Sequence, residues 1–194
     1  TVNVKTPAGA PTPARVVIAC ADGCPEITWN SNERDSSFSP PNGWLRLIEL
    51  GVDGTATIPL PAGDYTISAN RGMTWSTWPA DATETGGTTI TVTAGGTTTV
   101  DAEIAKVVDT AGALGADFHV HAMASPDSQV ADRDRVLDLM AGGLDVIVST
   151  DHDAVIDFAP TIAALGAGTQ IASIIGSEIT SAGFGHINAF PLAI

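Results

Sequence analysis

Residues 106–128, KVVDTAGALGADFHVHAMASPDS, join two stretches of chain built on different patterns, and two of the four histidines stand there one residue apart. Before this join, from about Ala14 to Ile104, short β-branched runs are separated by Gly, Pro, Asn and Asp: ARVVIACA, WLRLIEL, GTATIPL, DYTISAN, TTITVT and TTTVDAEI. Alternation with a period of two turns one face of each strand to a core and the other to solvent, so this half predicts an antiparallel β-sandwich. GGTTITVTAGGTTTV reads as one hairpin, with Ile90, Val92 and Val100 inward and its threonines outward.

After the join the period changes. DFHVH is strand-like, and DRDRVLDLMAGG sets Val136, Leu139 and Met140 at helical spacing before stopping at Gly142-Gly143. LDVIVST reads as a buried strand and APTIAALGAG as a second helix with Pro160 in its first turn; QIASIIGSE and HINAF follow as two more strands. Strand, helix, strand, helix, strand predicts the beginning of a parallel α/β sheet or barrel. The expected organisation is a β-sandwich accessory domain over 1–105, a linker over 106–116, and an α/β domain over 117–194.

The composition narrows the function. Eight basic against 22 acidic residues give a formal charge of −14, which repels phosphate backbones and argues against nucleic acid as a partner. Residues 107–194 carry eleven acids against only Arg133 and Arg135; that surplus fits a cation site or a solvated acidic face. The longest apolar runs, VVIACA and IASII, are too short to span a bilayer. TVNVKTPAGAPTP carries no basic-then-apolar leader and is read as a mature or trimmed N-terminus. Cys20 and Cys24 are the only cysteines, and their C-x3-C spacing around Asp-Gly would suit a small disulfide loop in an oxidising compartment, so a secreted or periplasmic location is expected. Trp29, Trp44, Trp75 and Trp78 all lie in the first half, where Trp75 with Trp78 forms either a sugar-binding platform or core or interdomain packing.

Parallel α/β folds gather functional side chains at the C-terminal ends of their strands. His119 and His121, at i and i+2 of one strand, share a face. His152 follows the next strand in VSTDHDA, Glu178 follows the third in GSEIT, and His186 opens the fourth segment in GFGHINAF. Imidazoles and carboxylates are the ligands of zinc, manganese and iron. The candidate metal set is therefore His119, His121, Asp127, His152, Glu178 and His186, with Asp127 either a ligand or the cap of the following helix. Asp117, Asp151 and Asp153 suit the task of holding the histidines' other ring nitrogens. G-x-S-x-G, H-E-x-x-H and P-loop patterns are absent.

DFHVH, then TDHD, then a Glu followed closely by Gly-His resembles motifs one to three of the PHP superfamily, the polymerase and histidinol phosphatase metallohydrolases. The chain looks most like the carbaryl-hydrolase-like branch (CehA/McbA type), in which a β-sandwich precedes the PHP domain. LPAGDYTISANRG in turn resembles the Pro-x-Gly-x-Tyr hairpin of prealbumin-like sandwiches found beside secreted bacterial enzymes. The resemblance implies a distorted (β/α)7 barrel with two or three divalent metal ions, zinc, manganese or iron, at its mouth. By motif, His119 and His121 would bind one metal, Glu178 would bridge two, and Asp127, His152 and His186 would serve the second or third. Glu178 and Asp151 would be the catalytic residues. A hydroxide generated between the metals would attack a phosphorus or carbonyl carbon, making the chain a hydrolase of small-molecule phosphoesters, carbamates or carboxylic esters. Residues 117–194 supply about four strands of such a barrel, so the expectation is a fragment inactive alone, or a site completed by another chain or a homo-oligomer. The competing expectation is a noncatalytic extracellular binding or assembly module carrying a degenerate PHP remnant.

Overall fold

The computed structural model describes residues 1–21, 44–83 and 86–193 and is dominated by strands. The chain divides into two compact units, one built mainly from residues up to Asp109 and the other mainly from Thr110 onward.

The first unit contains β1 (Val2–Lys5), β2 (Ala14–Cys20), β3 (Trp44–Leu50), β4 (Thr55–Ala56), β5 (Gly63–Asn70), β6 (Thr88–Val92) and β7 (Val100–Glu103). They form two sheets, ordered β4-β1-β7 and β3-β2-β5-β6. The alternating residues of both sheets meet in one core: Val2 and Val4, Val16 and Ile18, Tyr65, Ile67 and Ala69, Val100 and Ala102 are all buried in a single cluster. Tyr65 is its largest fully buried side chain. Its hydroxyl donates to the Pro61 carbonyl oxygen at 2.9 Å, which ties β5 to the turn that launches it.

Three expectations for this unit are corrected. GGTTITVTAGGTTTV is not a hairpin: β6 pairs antiparallel with β5, whereas β7 pairs in parallel with β1, Val2 opposite Val100. The chain turns at Thr93–Gly96, where Gly95 has φ +70° and the Gly96 N–H donates to Thr93 O, and then passes to the other sheet. There Val100 and Ala102 enter the common core, so burial decides the pairing against the similarity of the two threonine-rich runs. The unit is consequently mixed rather than wholly antiparallel. Finally, the opening TVNVK, not read as a strand, supplies β1; the overlooked signal is its Val-Asn-Val alternation.

Trp75 and Trp78 pack partly buried against the core, and the Arg71 guanidinium lies 4.8 Å over the Trp75 ring. This is the packing alternative rather than an open platform. Cys20 is disulfide-bonded; Cys24, the only other cysteine, and Trp29 lie outside the described residues.

The second unit runs β8 (Ala116–Val120), α1 (Asp132–Ala141), β9 (Val146–Ser149), α2 (Ala159–Ala164), β10 (Ala172–Ile175), β11 (Ser177–Ser181) and β12 (Gly185–Ala189). β8, β9 and β10 make the expected parallel sheet, in the order β10-β9-β8. Both helices end on a left-handed glycine that closes their last turn. Gly143 (φ +84°) lets the Leu144 N–H reach Leu139 O, and Gly166 (φ +64°) lets the Ala167 N–H reach Ile162 O. Val136, Leu137, Met140 and Ala141 are the buried residues of α1, with Leu139 half-buried.

The end of this unit departs from a continuing parallel series. QIASIIGSE, read as one strand, is divided at Gly176 into β10 and β11, and HINAF folds back as β12, antiparallel to β11 with Glu178 opposite Asn188 and Thr180 opposite His186. Only three residues separate the two strands, far fewer than a parallel crossover requires. Ser181 Oγ accepts from the Gly183 and Phe184 N–H groups, and Gly185 sits at φ +79°. Among the described residues no helix is long and apolar enough to cross a membrane.

Gly176 is where the chain leaves the sheet for the hairpin. A Cβ there would lie 2.7 Å from Ser149 O and 3.0 Å from Ala189 O, both backbone atoms. Gly176→Ala should therefore destabilise the unit by about 1–3 kcal/mol, the usual cost of overpacking. Urea denaturation checks this; an unchanged midpoint would contradict the close approach.

Candidate metal centre

The second unit brings all six predicted ligands together. β8 carries His119 and delivers His121 one residue beyond its end, on the same face: the two Nε2 atoms lie 2.9 and 3.0 Å from one oxygen, Glu178 Oε2. His152 follows β9, and Glu178 lies in β11 beside it through an isolated bridge. His152 Nδ1 is 3.7 Å from the same Glu178 oxygen, while its Nε2 is 3.3 Å from Asp127 Oδ2. His186, on β12, places Nδ1 2.8 Å from Glu178 Oε1. Successive imidazole centroids, from His119 through His121 and His152 to His186, are 4.8–4.9 Å apart.

Within this cluster the ligand atoms of His119, His121 and Glu178, of His121, Asp127 and His152, and of His152, Glu178 and His186 each converge within 4.8 Å. A tetrahedral zinc with metal–nitrogen distances of about 2.0–2.1 Å spaces its ligand atoms roughly 3.3 Å apart. The separations of 2.8–3.7 Å recorded here bracket that figure, so the donor set fits a divalent cation.

Glu178 is only 3% exposed. Burial pushes its carboxyl up, but the hydrogen bond from His119 and the charges of His119, His152 and His121 outweigh that effect and hold it below the ordinary carboxylate range. Asp127 is held low as well: the hydrogen bond from Ser125 is the largest influence and outweighs the upward push of burial, and the charges of His121 and His152 add to it. Asp127 is thus placed on the imidazoles. It is not the cap of α1, which starts five residues later at Asp132.

The acids beside the histidines do a different job from the one expected. Asp117 Oδ1 accepts from the His119 backbone N–H at 3.0 Å, Asp151 Oδ1 from Ala122 N–H at 2.7 Å, and Asp153 Oδ1 from Thr180 N–H at 2.9 Å. They secure the main chain of β8, of the loop after it and of β11 rather than ring nitrogens, because each carboxylate meets a neighbouring backbone N–H before it reaches an imidazole. Asp151 is fully buried, and its Oδ2 has no hydrogen-bond partner among the described residues. It therefore stands behind the cluster, joined to it through the loop that carries His121.

Hydroxyls, which the sequence reading passed over, hold the ring nitrogens instead. Ser125 Oγ is 3.0 Å from His121 Nδ1, donates to Asp127 Oδ1 at 2.6 Å and accepts from the His152 N–H at 3.2 Å. Thr180 Oγ1 is 2.6 Å from His152 Nδ1. Thr150 Oγ1 accepts from Val120 N–H, and Arg135 on α1 donates from Nε to His121 O. The only signal in the sequence was position: Ser125 shares SPDS with Asp127, and Thr180 lies two residues beyond Glu178 on the same face of β11.

No family profile, curated protein or solved structure matches this chain.

Proposed function

We propose that the second unit is the metal-binding core of a hydrolase of the PHP type, acting on small-molecule phosphoesters, carbamates or carboxylic esters. The observation that carries the reading is the gathering of four imidazoles around one buried carboxylate, with three of their nitrogens within 3.7 Å of Glu178 Oε2. Imidazole nitrogens and carboxylate oxygens gathered at these distances are the donor set that a divalent cation takes. His119, His121 and Glu178 would hold one divalent ion, and Asp127, His152 and His186 would complete a second or third, drawn from zinc, manganese or iron. Such ions supply Lewis acidity and lower the pKa of water.

The chain's own residues supply the rest. Glu178 reaches both His119 and His186 through its two oxygens and thus links the two ends of the histidine row. Asp151, by fixing the Ala122 N–H, keeps the His121 loop against the His152 loop; in this reading it positions the site from behind. The parallel β8-α1-β9-α2-β10 arrangement is compatible with the opening of a (β/α)7 barrel, and the two-sheet unit before it with a prealbumin-like accessory domain. A secreted or periplasmic setting agrees with the disulfide at Cys20. The reading as a noncatalytic binding module draws no support from Trp75 and Trp78, which are partly spent on packing.

The test is metal content after purification and dialysis, followed by a panel of nitrophenyl phosphates, carboxylic esters and carbamates. Bound zinc, manganese or iron at one or more equivalents is expected; turnover by this chain alone is expected to be weak or absent, and any bond class it cleaves assigns the chemistry. A parent protein that takes up none of these ions would overturn the proposal.

A further inference from the structure

Among the hydroxyls around the cluster, Ser125 has a determinate pattern of hydrogen bonds. A serine hydroxyl offers one proton and two lone pairs. The Ser125 proton goes to Asp127 Oδ1, at 2.6 Å the shortest of its contacts. The His152 backbone N–H can only donate, so it takes one lone pair at 3.2 Å. What remains for His121 Nδ1, at 3.0 Å, is the second lone pair, and an imidazole nitrogen can meet a lone pair only by carrying a proton. Ser125 is 3% exposed, which leaves little room for water to take over any of these bonds.

We propose that Ser125 is a positioning residue that fixes neutral His121 as the Nδ1–H tautomer and turns the bare lone pair of Nε2 toward Glu178. That nitrogen lies 3.0 Å from Glu178 Oε2. Two lone pairs facing each other at such a distance repel unless a positive centre lies between them. Ser125 therefore makes His121 a ready ligand and forbids the competing arrangement, in which His121 donates from Nε2 to Glu178 and quenches both groups. Asp127 takes part twice, as a candidate ligand through Oδ2 and, through Oδ1, as the acceptor that commits the Ser125 proton. The tautomer follows from the chain's own hydrogen bonds; its use in binding a cation rests on the function proposed above.

The experiment uses the full, metal-free chain labelled with 15N, at about pH 9, above the ordinary imidazole range. Long-range 1H–15N correlation identifies which ring nitrogen of His121 carries the proton. The parent should show Nδ1–H. Ser125→Ala and, separately, Asp127→Ala should both move the proton to Nε2, the first by removing the acceptor and the second by freeing the serine proton to turn to His121. Asp127 is 55% exposed, so its variant remains informative if Ser125→Ala does not fold. Zinc titration of Ser125→Ala should show affinity reduced by roughly 10–100-fold, as for other groups that orient a metal-ligating histidine. A parent His121 protonated at Nε2 or at both nitrogens, or a variant whose tautomer stays on Nδ1, would overturn the proposal. A parent that holds Nδ1–H but takes up no zinc, manganese or iron would sustain the assignment to Ser125 and refute the hydrolase instead.

Discussion

Glu178→Gln should lower zinc affinity by more than about 100-fold, the upper end of what loss of an outer-shell partner costs. Both Glu178 oxygens lie against imidazoles, Oε2 near His119, His121 and His152 and Oε1 near His186. Glutamine keeps the shape but replaces an acceptor oxygen with an NH2 group, which must point its hydrogens at one end of the histidine row. It also removes the carboxylate that, among the described residues, reaches both ends. His119→Ala should cost less, because His119 is 53% exposed and meets only one of the Glu178 oxygens. Calorimetric titration with zinc, alongside dialysis and elemental analysis, measures both variants. Parent-like affinity in Glu178→Gln would remove the foundation of the metal reading.

The second large effect belongs to the first unit. Tyr65→Ala should destabilise it by about 3–5 kcal/mol, the range for emptying a buried aromatic site. Tyr65 is fully buried among Val16, Ile18 and Ile67 of the common core, and the two sheets leave little freedom to close the cavity. Tyr65→Phe keeps the ring and loses only the bond to Pro61 O, so it should cost about 1 kcal/mol. All four tryptophans lie at or before Trp78, so their fluorescence in a denaturant titration reports on this unit. A phenylalanine variant as unstable as the alanine one would mean that the hydrogen bond, rather than packing, holds the turn.

Much of this was legible in the chain because the signals were periodic or short-range. β2, β3, β5 and β6 follow from alternation, and α1 and α2 from helical spacing with a glycine stop. His119, His121, His152, Glu178 and His186 fall at or near strand ends, and the structure brings them together with Asp127. What was not legible depended on partners distant in sequence. β7 pairs with β1 rather than β6, across nearly a hundred residues, and no local pattern records which sheet a strand joins. The antiparallel return of β12 depends on a three-residue turn that the parallel pattern upstream obscured. Ser125 and Thr180 escaped notice because a hydroxyl gains its role only when a loop closes on an imidazole, and the carboxylates assigned to that role were already occupied by main-chain amides.

The β11-β12 ribbon has a further consequence. His119, His121 and His152 come from the parallel sheet and its loops, but Glu178 and His186 come from a two-stranded ribbon that the main-chain bonds at Glu178 attach near one end. Such ribbons are marginal in water unless something else supports them. An ion held by both groups of side chains would act as a rivet, and by mass action its binding free energy would become folding free energy for the ribbon. Amide hydrogen exchange over Ser177–Ala189 should then slow on addition of zinc and speed up again on chelation. An exchange rate indifferent to metal would mean that the ribbon stands without the rivet.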